Sequence, residues 1–251
     1  MYKGKRKKTK FIIAAIAGVA VAGALFLIDP IRVLIAIKTM KPLETQEVIT
    51  DIYAIKNEFV NLYLVRNGDQ IIAFDAGTDN EATKAALDSF GIDADEITAV
   101  FLTHTDYDHV AALSLFRSAD IYMADSNKTF LASEAGQFRS EDFVGLARAY
   151  ETMTDGETVT VADTEVRCIY TPGHTDGSAC YIVNGRFLFT GDTMNLKNGA
   201  AVPYNAVFNM NGGEQRRSLR RLAALENIEV VFTMHTGYTT DFEAAFSRWA
   251  E

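Results

Sequence analysis

The chain has 251 residues, 48% hydrophobic and 23% charged, a globular composition with enough apolar material for one large domain or two small ones. Its net charge is −9, yet the first ten residues, "MYKGKRKKTK", carry six Lys or Arg and no acid, so the remainder sits at −15. An acidic body repels polyphosphate and argues against a nucleic-acid substrate. The one basic cluster beyond the N-terminus, "RRSLRR" at 216–221, reads as the solvated face of a helix. Cys168 and Cys180 are too few for a disulfide framework and read as two buried thiols, with a single bridge between paired strands as the alternative.

Residues 11–28, "FIIAAIAGVAVAGALFLI", contain no polar side chain and reach the ~18 residues that a membrane-spanning helix needs. The basic run in front holds that end in the cytoplasm and sends the rest of the chain outward. "AGA" at 22–24 resembles a cleavage site, but the chain stays apolar to about residue 37, which favours an uncleaved anchor. The expected organisation is a basic flank at 1–10, a signal anchor and its continuation at 11–37, a linker at 38–45 and a folded body at 46–251.

Three β-rich runs follow, "EVITDIYAI", "FVNLYLVRN" and "QIIAFDAG", which read as an antiparallel meander turned at Asn67-Gly68-Asp69. Next come a helix, "NEATKAALDSFG", closed by Gly91, and an apolar strand, "ITAVFLT". A helix at "VAALSLF", a strand at "DIYMA", helical pieces over 125–150 and strands "ETVTV", "TEVRCIYT", "SACYIVN" and "RFLFTG" continue the pattern. A helix over Glu214–Glu226, a strand "IEVVFTM" and a helix "TDFEAAFSRWA" finish it. The fold class is α/β (α+β): an αββα sandwich of two mixed β-sheets flanked by helices, preceded by the transmembrane helix.

The four histidines all sit where a strand meets a loop: His104 and His109 in "HTDYDH", His174 in "TPGHTDGS" and His235 in "FTMHTGY"; Asp192 in "FTGDT" is placed likewise. An extended loop after the strand sends residues 104, 106 and 108 to one side, while His109 turns toward a second position. Singly, each reads as a hydrogen-bonded or capping residue. Together, imidazoles and carboxylates in this number exceed what one tetrahedral ion takes and imply two adjacent divalent metals.

These motifs, in this order, resemble the metallo-β-lactamase superfamily, whose signature is His-x-His-x-Asp-His after a strand, a later His, a bridging Asp and a final His. The resemblance covers residues from about 46 to 251. It implies a first ion held by His104, Asp106 and His174, a second by Asp108, His109 and His235, and Asp192 bridging both. Asp75 in "FDAG" resembles the family's early acid that supports the metal loops.

The departure is Asp106, where the family has its second histidine. It makes the site one charge more negative and harder, which favours manganese or iron somewhat more than a His-rich site would, with zinc still the expected metal of the pair. Asp is also shorter than His, so a largely mononuclear site stands as the alternative to a filled pair.

The resemblance implies hydrolysis of an ester, lactone, thioester, amide or phosphoester in a small-molecule substrate by a metal-activated water, with Asp108 orienting the nucleophile and exchanging its proton. An iron-dependent oxidoreductase and a non-catalytic domain that keeps the fold are the rival readings. Tyr107, Lys197, Tyr204 and Asn205 are pocket candidates that read equally well as surface or packing. The expected location is the cell membrane, single-pass, with the folded body on the extracytoplasmic side.

Overall fold

The computed structural model describes residues 30–131, 149–161 and 163–250. The expected anchor at 11–28 lies outside them, as do most of the helical pieces expected before residue 150. The chain divides after Thr39 into two units. In the first, residues 30–39 form a helix that exposes Ile31, Leu34 and Ile35. Among the described residues no helix is long and apolar enough to cross a membrane.

The unit from Met40 onward is built on two mixed sheets. In the first, β1 (Gln46–Ile49), β2 (Ile52–Asn57), β3 (Val60–Asn67) and β4 (Gln70–Phe74) form the antiparallel meander. To it β5 (Ile97–Leu102), β6 (Asp120–Ala124) and β7 (Glu151–Met153) add in parallel, with the short helix α3 (Asp125–Leu131) directly after β6. The second sheet contains β8 (Thr158–Val161), β9 (Thr164–Tyr170), β10 (Ala179–Val183), β11 (Phe187–Phe189), β14 (Val230–Thr233) and β15 (Gly237–Thr239). Its pairings are antiparallel except β11 with β14. A separate hairpin pairs β12 (Met194–Lys197) with β13 (Ala200–Pro203).

The run "EVITDIYAI" is therefore not one strand. It folds back at Thr50-Asp51, where Asp51 takes a φ of 65°, a conformation that a short polar side chain tolerates. Strand β6 is the expected "DIYMA", whereas β7, the β12–β13 pair and β15 were not legible as strands. The β12–β13 turn is Asn198-Gly199, with φ of 53° and 79°, the strongest short hairpin signal there is.

Side-chain alternation builds three layers. From β5, Ala99 and Phe101 point into the space between the sheets, while Val100 and Leu102 point outward. The outer cluster packs with Ala86 and Leu87 of α1 (Asn80–Ser89), whose N-terminus Asp79 caps and whose end turns at Gly91, φ 68°. On the far side, Leu219 and Leu222 of α4 (Gly212–Ala223) and Phe246 of α5 (Phe242–Phe246) cover Ile169, Cys180 and Ile182. The expected helix over Glu214–Glu226 starts earlier because Asn211 caps it, accepting from the amides of Gly213 and Glu214; its Arg216, Arg217, Arg220 and Arg221 are exposed.

The middle layer joins Tyr63, Phe74 and Phe101 to Tyr181, Phe189 and Phe232, with Phe74 and Phe189 stacked at 4.1 Å. Two buried phenols bolt the sheets together: Tyr63 donates to Thr233 O at 2.9 Å and Tyr181 to Leu102 O at 2.8 Å. Both bonds grip the strand ends that carry His235 and His104, so core packing sets the positions of the polar loops. Cys168 faces this layer and Cys180 the opposite face of the sheet, so the two thiols stay free. Burial pushes the Cys180 thiol up to about 11, which keeps it unreactive.

Candidate metal centre

The direction of the strands decides where the polar loops meet. Strands β4 and β5 run parallel, and β9, β11 and β14 share one direction through the pairings of the second sheet. Asp75 follows β4, His104 follows β5, His174 follows β9, Asp192 follows β11 and His235 follows β14. All five leave the C-terminal ends of their strands.

Within "HTDYDH", alternation does not hold past residue 106. Asp106 sits at φ −69°, ψ 153°, at the start of a one-turn helix, α2 (Tyr107–Val110). The turn separates two carboxylates that an extended loop would place together. Asp106 Oδ2 lies 3.1 Å from His174 Nε2 and 3.9 Å from His104 Nε2. Asp108 Oδ2 lies 3.5 Å from both His109 Nε2 and His235 Nε2. The helix expected at "VAALSLF" continues from α2 as a 3-10 turn over Ala111–Leu115.

Asp192, 3% exposed, stands between the halves. Its Oδ1 is 3.5 Å from His109 Nε2 and 3.1 Å from His235 Nε2. Its Oδ2 is 3.5 Å from His174 Nε2 and 3.9 Å from His104 Nε2. The left-handed turn at Gly191, φ 51°, aims this side chain, and a Cβ at Gly191 would meet Thr103 Oγ1 at 2.5 Å.

The imidazoles are oriented from behind. His109 Nδ1 lies 2.8 Å from Asp75 Oδ2, His235 Nδ1 2.7 Å from Phe59 O, and His104 Nδ1 3.0 Å from Thr103 Oγ1. The Thr103 hydroxyl donates to Asp75 Oδ2 at 2.9 Å, so it accepts from His104. Behind His174, Asn209 spends its amide N–H groups on Tyr204 O and Gln215 Oε1, leaving Oδ1 to accept from His174 Nδ1 at 3.3 Å. All four rings therefore carry Nδ1–H and turn Nε2 inward, the arrangement that metal-binding histidines adopt.

The donors fit divalent ions. His104, His109 and His235 Nε2 and Asp192 Oδ1 are buried and make no hydrogen bond, a cost that a bound cation removes. Tetrahedral bonds of about 2.0–2.2 Å require donor–donor edges of roughly 3.3–3.6 Å, and the edges above lie close to that. Among the described residues, three overlapping groups are spaced to hold an ion: His104 with Asp106 and His174, Asp108 with His109 and His235, and His104 with His109 and Asp192.

The electrostatics agree with a site made for cations. Burial holds His104 well below the ordinary imidazole range, helped by His109 and His174. Burial also opposes charge on His109 and His235, but Asp108, Asp75 and Asp192 raise the first well above that range, and Asp192 and Asp108 raise the second. The surrounding imidazoles hold Asp192 well below the carboxylate range against its own burial. Ions compete with protons for these imidazoles and carboxylates, and bind more weakly as pH falls.

All seven residues expected at the site are brought together. Of the pocket candidates, Tyr204 joins them: it is buried, its ring meets His174 edge-on at 5.0 Å and lies 5.3 Å from His235. Burial and the carboxylates of Asp192, Asp108 and Asp106 keep its phenol protonated. Tyr107 is 48% exposed and reaches Thr78 O at 3.3 Å. Lys197 sits exposed at the end of β12, and Asn205 caps a turn through Val207 N. Thr103, Asn209 and Gln215 carry no motif and emerge only from the contacts.

Asp75 supports both halves, taking Thr103 N–H at 2.7 Å on one oxygen and Thr103 Oγ1 and His109 Nδ1 on the other. Asp75→Asn, which removes the charge and the fixed acceptor, should lower zinc affinity about 10–100-fold. Competition with a chelator of known affinity measures this; unchanged affinity would show that Asp75 only packs.

The family model of the metallo-beta-lactamase superfamily matches residues 55–235. A probable polyketide biosynthesis zinc-dependent hydrolase of Bacillus velezensis is 36% identical over 102 residues, 39% of this chain and 40% of that protein's length. A hydroxyacylglutathione hydrolase of Rhizobium etli is 29% identical over 141 residues, 56% of this chain and 48% of that protein. The chain thus spans about half or less of either relative. Among solved structures, a metallo-beta-lactamase family protein of Thermus thermophilus superposes with a TM-score of 0.63 at 21% identity, covering 80% of this chain and 79% of that one. A B3 metallo-beta-lactamase described as the first with an active-site glutamic acid gives a TM-score of 0.62 at 17% identity, covering 86% and 90%. The structural likenesses show the fold, and the family match over most of the folded body shows the lineage: the chain belongs to the metallo-β-lactamase superfamily.

Proposed function

We propose that this protein is a metal-dependent hydrolase of a small-molecule substrate, with His104, Asp106 and His174 holding one divalent ion, Asp108, His109 and His235 a second, and Asp192 bridging them. The observation that carries the proposal is the division of Asp192, one oxygen toward each pair of inward-turned Nε2 atoms. The names of the relatives, a zinc-dependent hydrolase and a hydroxyacylglutathione hydrolase, support hydrolysis over redox chemistry and zinc as the metal.

Ions held there supply a Lewis acid for a carbonyl or phosphoryl oxygen and bring the pKa of water toward about 7. The chain does the rest. His109 and His235 fix Asp108, whose side chain is 18% exposed, at the boundary between cage and solvent. Burial opposes its ionisation, but His109 and His235 keep its carboxyl below the ordinary range. Asp108 therefore stays ionised, orients the nucleophile and takes its proton. Tyr204, beside His174 and His235, closes one wall with an aromatic face and excludes water there.

The apolar run at 11–28 and its basic flank support anchorage of this domain to a membrane, facing away from the cytoplasm. The test is a panel of ester, lactone, thioester, amide and phosphodiester substrates with the full chain, before and after chelation and after zinc is restored. Zinc-dependent turnover of one bond class is the expected result. Two bound zinc ions with no turnover of any class, or turnover only with iron and an electron donor, would overturn the proposal.

A further inference from the structure

We infer that the two halves of the cage are chemically matched, so that the first ion to bind has no strong preference between them. The inference rests on the two-ion reading above. One half offers two imidazole nitrogens, His104 and His174, one carboxylate of its own, Asp106, and Oδ2 of Asp192. The other offers His109, His235, Asp108 and Oδ1 of Asp192. Each is a set of two nitrogens and two oxygens.

The geometry is matched as well. Nitrogen–oxygen edges are 3.1, 3.5, 3.9 and 3.9 Å in the first half and 3.1, 3.5, 3.5 and 3.5 Å in the second. Even the support behind the rings is shared: Asp75 Oδ2 takes His109 Nδ1 directly and His104 Nδ1 through the Thr103 hydroxyl. A histidine at 106 would give three nitrogens and one oxygen against two and two, and borderline ions would then favour the nitrogen-rich half. Asp106 removes that difference in donor type. The residue makes the pair of sites equivalent and does not leave one of them empty.

The test is a cobalt(II) titration of the metal-free full chain, followed by proton NMR. Each Nδ1–H is hydrogen-bonded behind its ring, and cobalt bound at Nε2 shifts it out of the protein envelope. Below one equivalent, the His104/His174 and His109/His235 pairs should appear in parallel, with occupancies within roughly threefold. Asp106→His should favour the His104/His174 pair by about tenfold or more, and Asp106→Asn should favour the other pair by a similar factor. Wild-type pairs filling strictly in sequence, or Asp106→Asn leaving the ratio unchanged, would overturn the inference. Hydrolysis by the fully loaded protein is assayed separately, so that outcome leaves the hydrolase reading standing; absence of cobalt binding sinks both.

Discussion

Asp192→Ala is expected to give a folded protein that no longer holds both ions and turns over substrate at least about 10³-fold more slowly. Loss of a single donor to a developing charge costs about 10²–10³-fold; Asp192 is shared by both halves of the cage, so its loss removes a ligand from each ion at once. The fold should survive because the backbone of this loop is held by other groups: Gln215 Nε2 donates to Asp192 O at 3.2 Å, and Thr193 N to Thr190 O at 3.2 Å. The carboxylate does contribute in the metal-free state, since His235 and His109 hold it ionised against its burial, so its removal leaves those imidazoles without a partner and costs stability.

Zinc at a thousand-fold excess over Kd contributes about 4 kcal/mol per site, a rise in Tm on the order of 10 °C for a domain of this size. Thermal melts with and without zinc separate the two effects. The variant should melt below metal-free wild type, because it lacks the buried partner of His109 and His235, and should lose most of the zinc-dependent rise. Two equivalents of zinc retained, with a rate within tenfold of wild type, would show that Asp192 does not bridge.

The difference between what the sequence made legible and what it hid follows from the range of the forces involved. Strand β5, helix α1 and the donor residues at 104, 174, 192 and 235 are written locally: an apolar run, and within a few residues of its end a polar ligand. The β12–β13 hairpin is also local, and its Asn198-Gly199 turn was a readable signal. Strand β7 is not local: it is three residues long and gains its identity by pairing in parallel with β6, which was legible as "DIYMA". The geometry around Asp106 could not be read by alternation, because the chain turns into α2 after it; family resemblance, carried by spacing, gave the grouping of donors that the side chains form where periodicity did not. Gln215 shows the remaining limit. In the sequence it is one polar residue of a charged helix, and only the approach of α4 to the His174 loop makes it the partner of Asn209 and of Asp192 O.

That approach predicts the second large effect. Gly173→Ala should destabilise the protein by roughly 2–6 kcal/mol, the sum of about 1–3 for a strained backbone and about 1–3 for overpacking. Gly173 has φ +138°, and a Cβ there would lie 2.3 Å from Gln215 N and 2.5 Å from Gln215 Cα. The obstacle is backbone at the start of α4 and not the tip of a flexible side chain. Neither side yields easily, because Asn211 N donates to Gly173 O at 2.8 Å, Met210 N to His174 O at 3.0 Å, and Ser218 Oγ to Pro172 O at 2.8 Å. The loop and the helix are held together by the bonds that place His174 in the cage. Gly185→Ala is the control: its φ of +68° strains alanine, but nothing lies within 4 Å of the added Cβ, so the cost should be about 1 kcal/mol. At about 2–4 °C per kcal/mol, Gly173→Ala should melt on the order of 10 °C below wild type. Melting within a few degrees of Gly185→Ala would mean that the His174 loop can move away from α4, and that its position is set by the ion instead of by the fold.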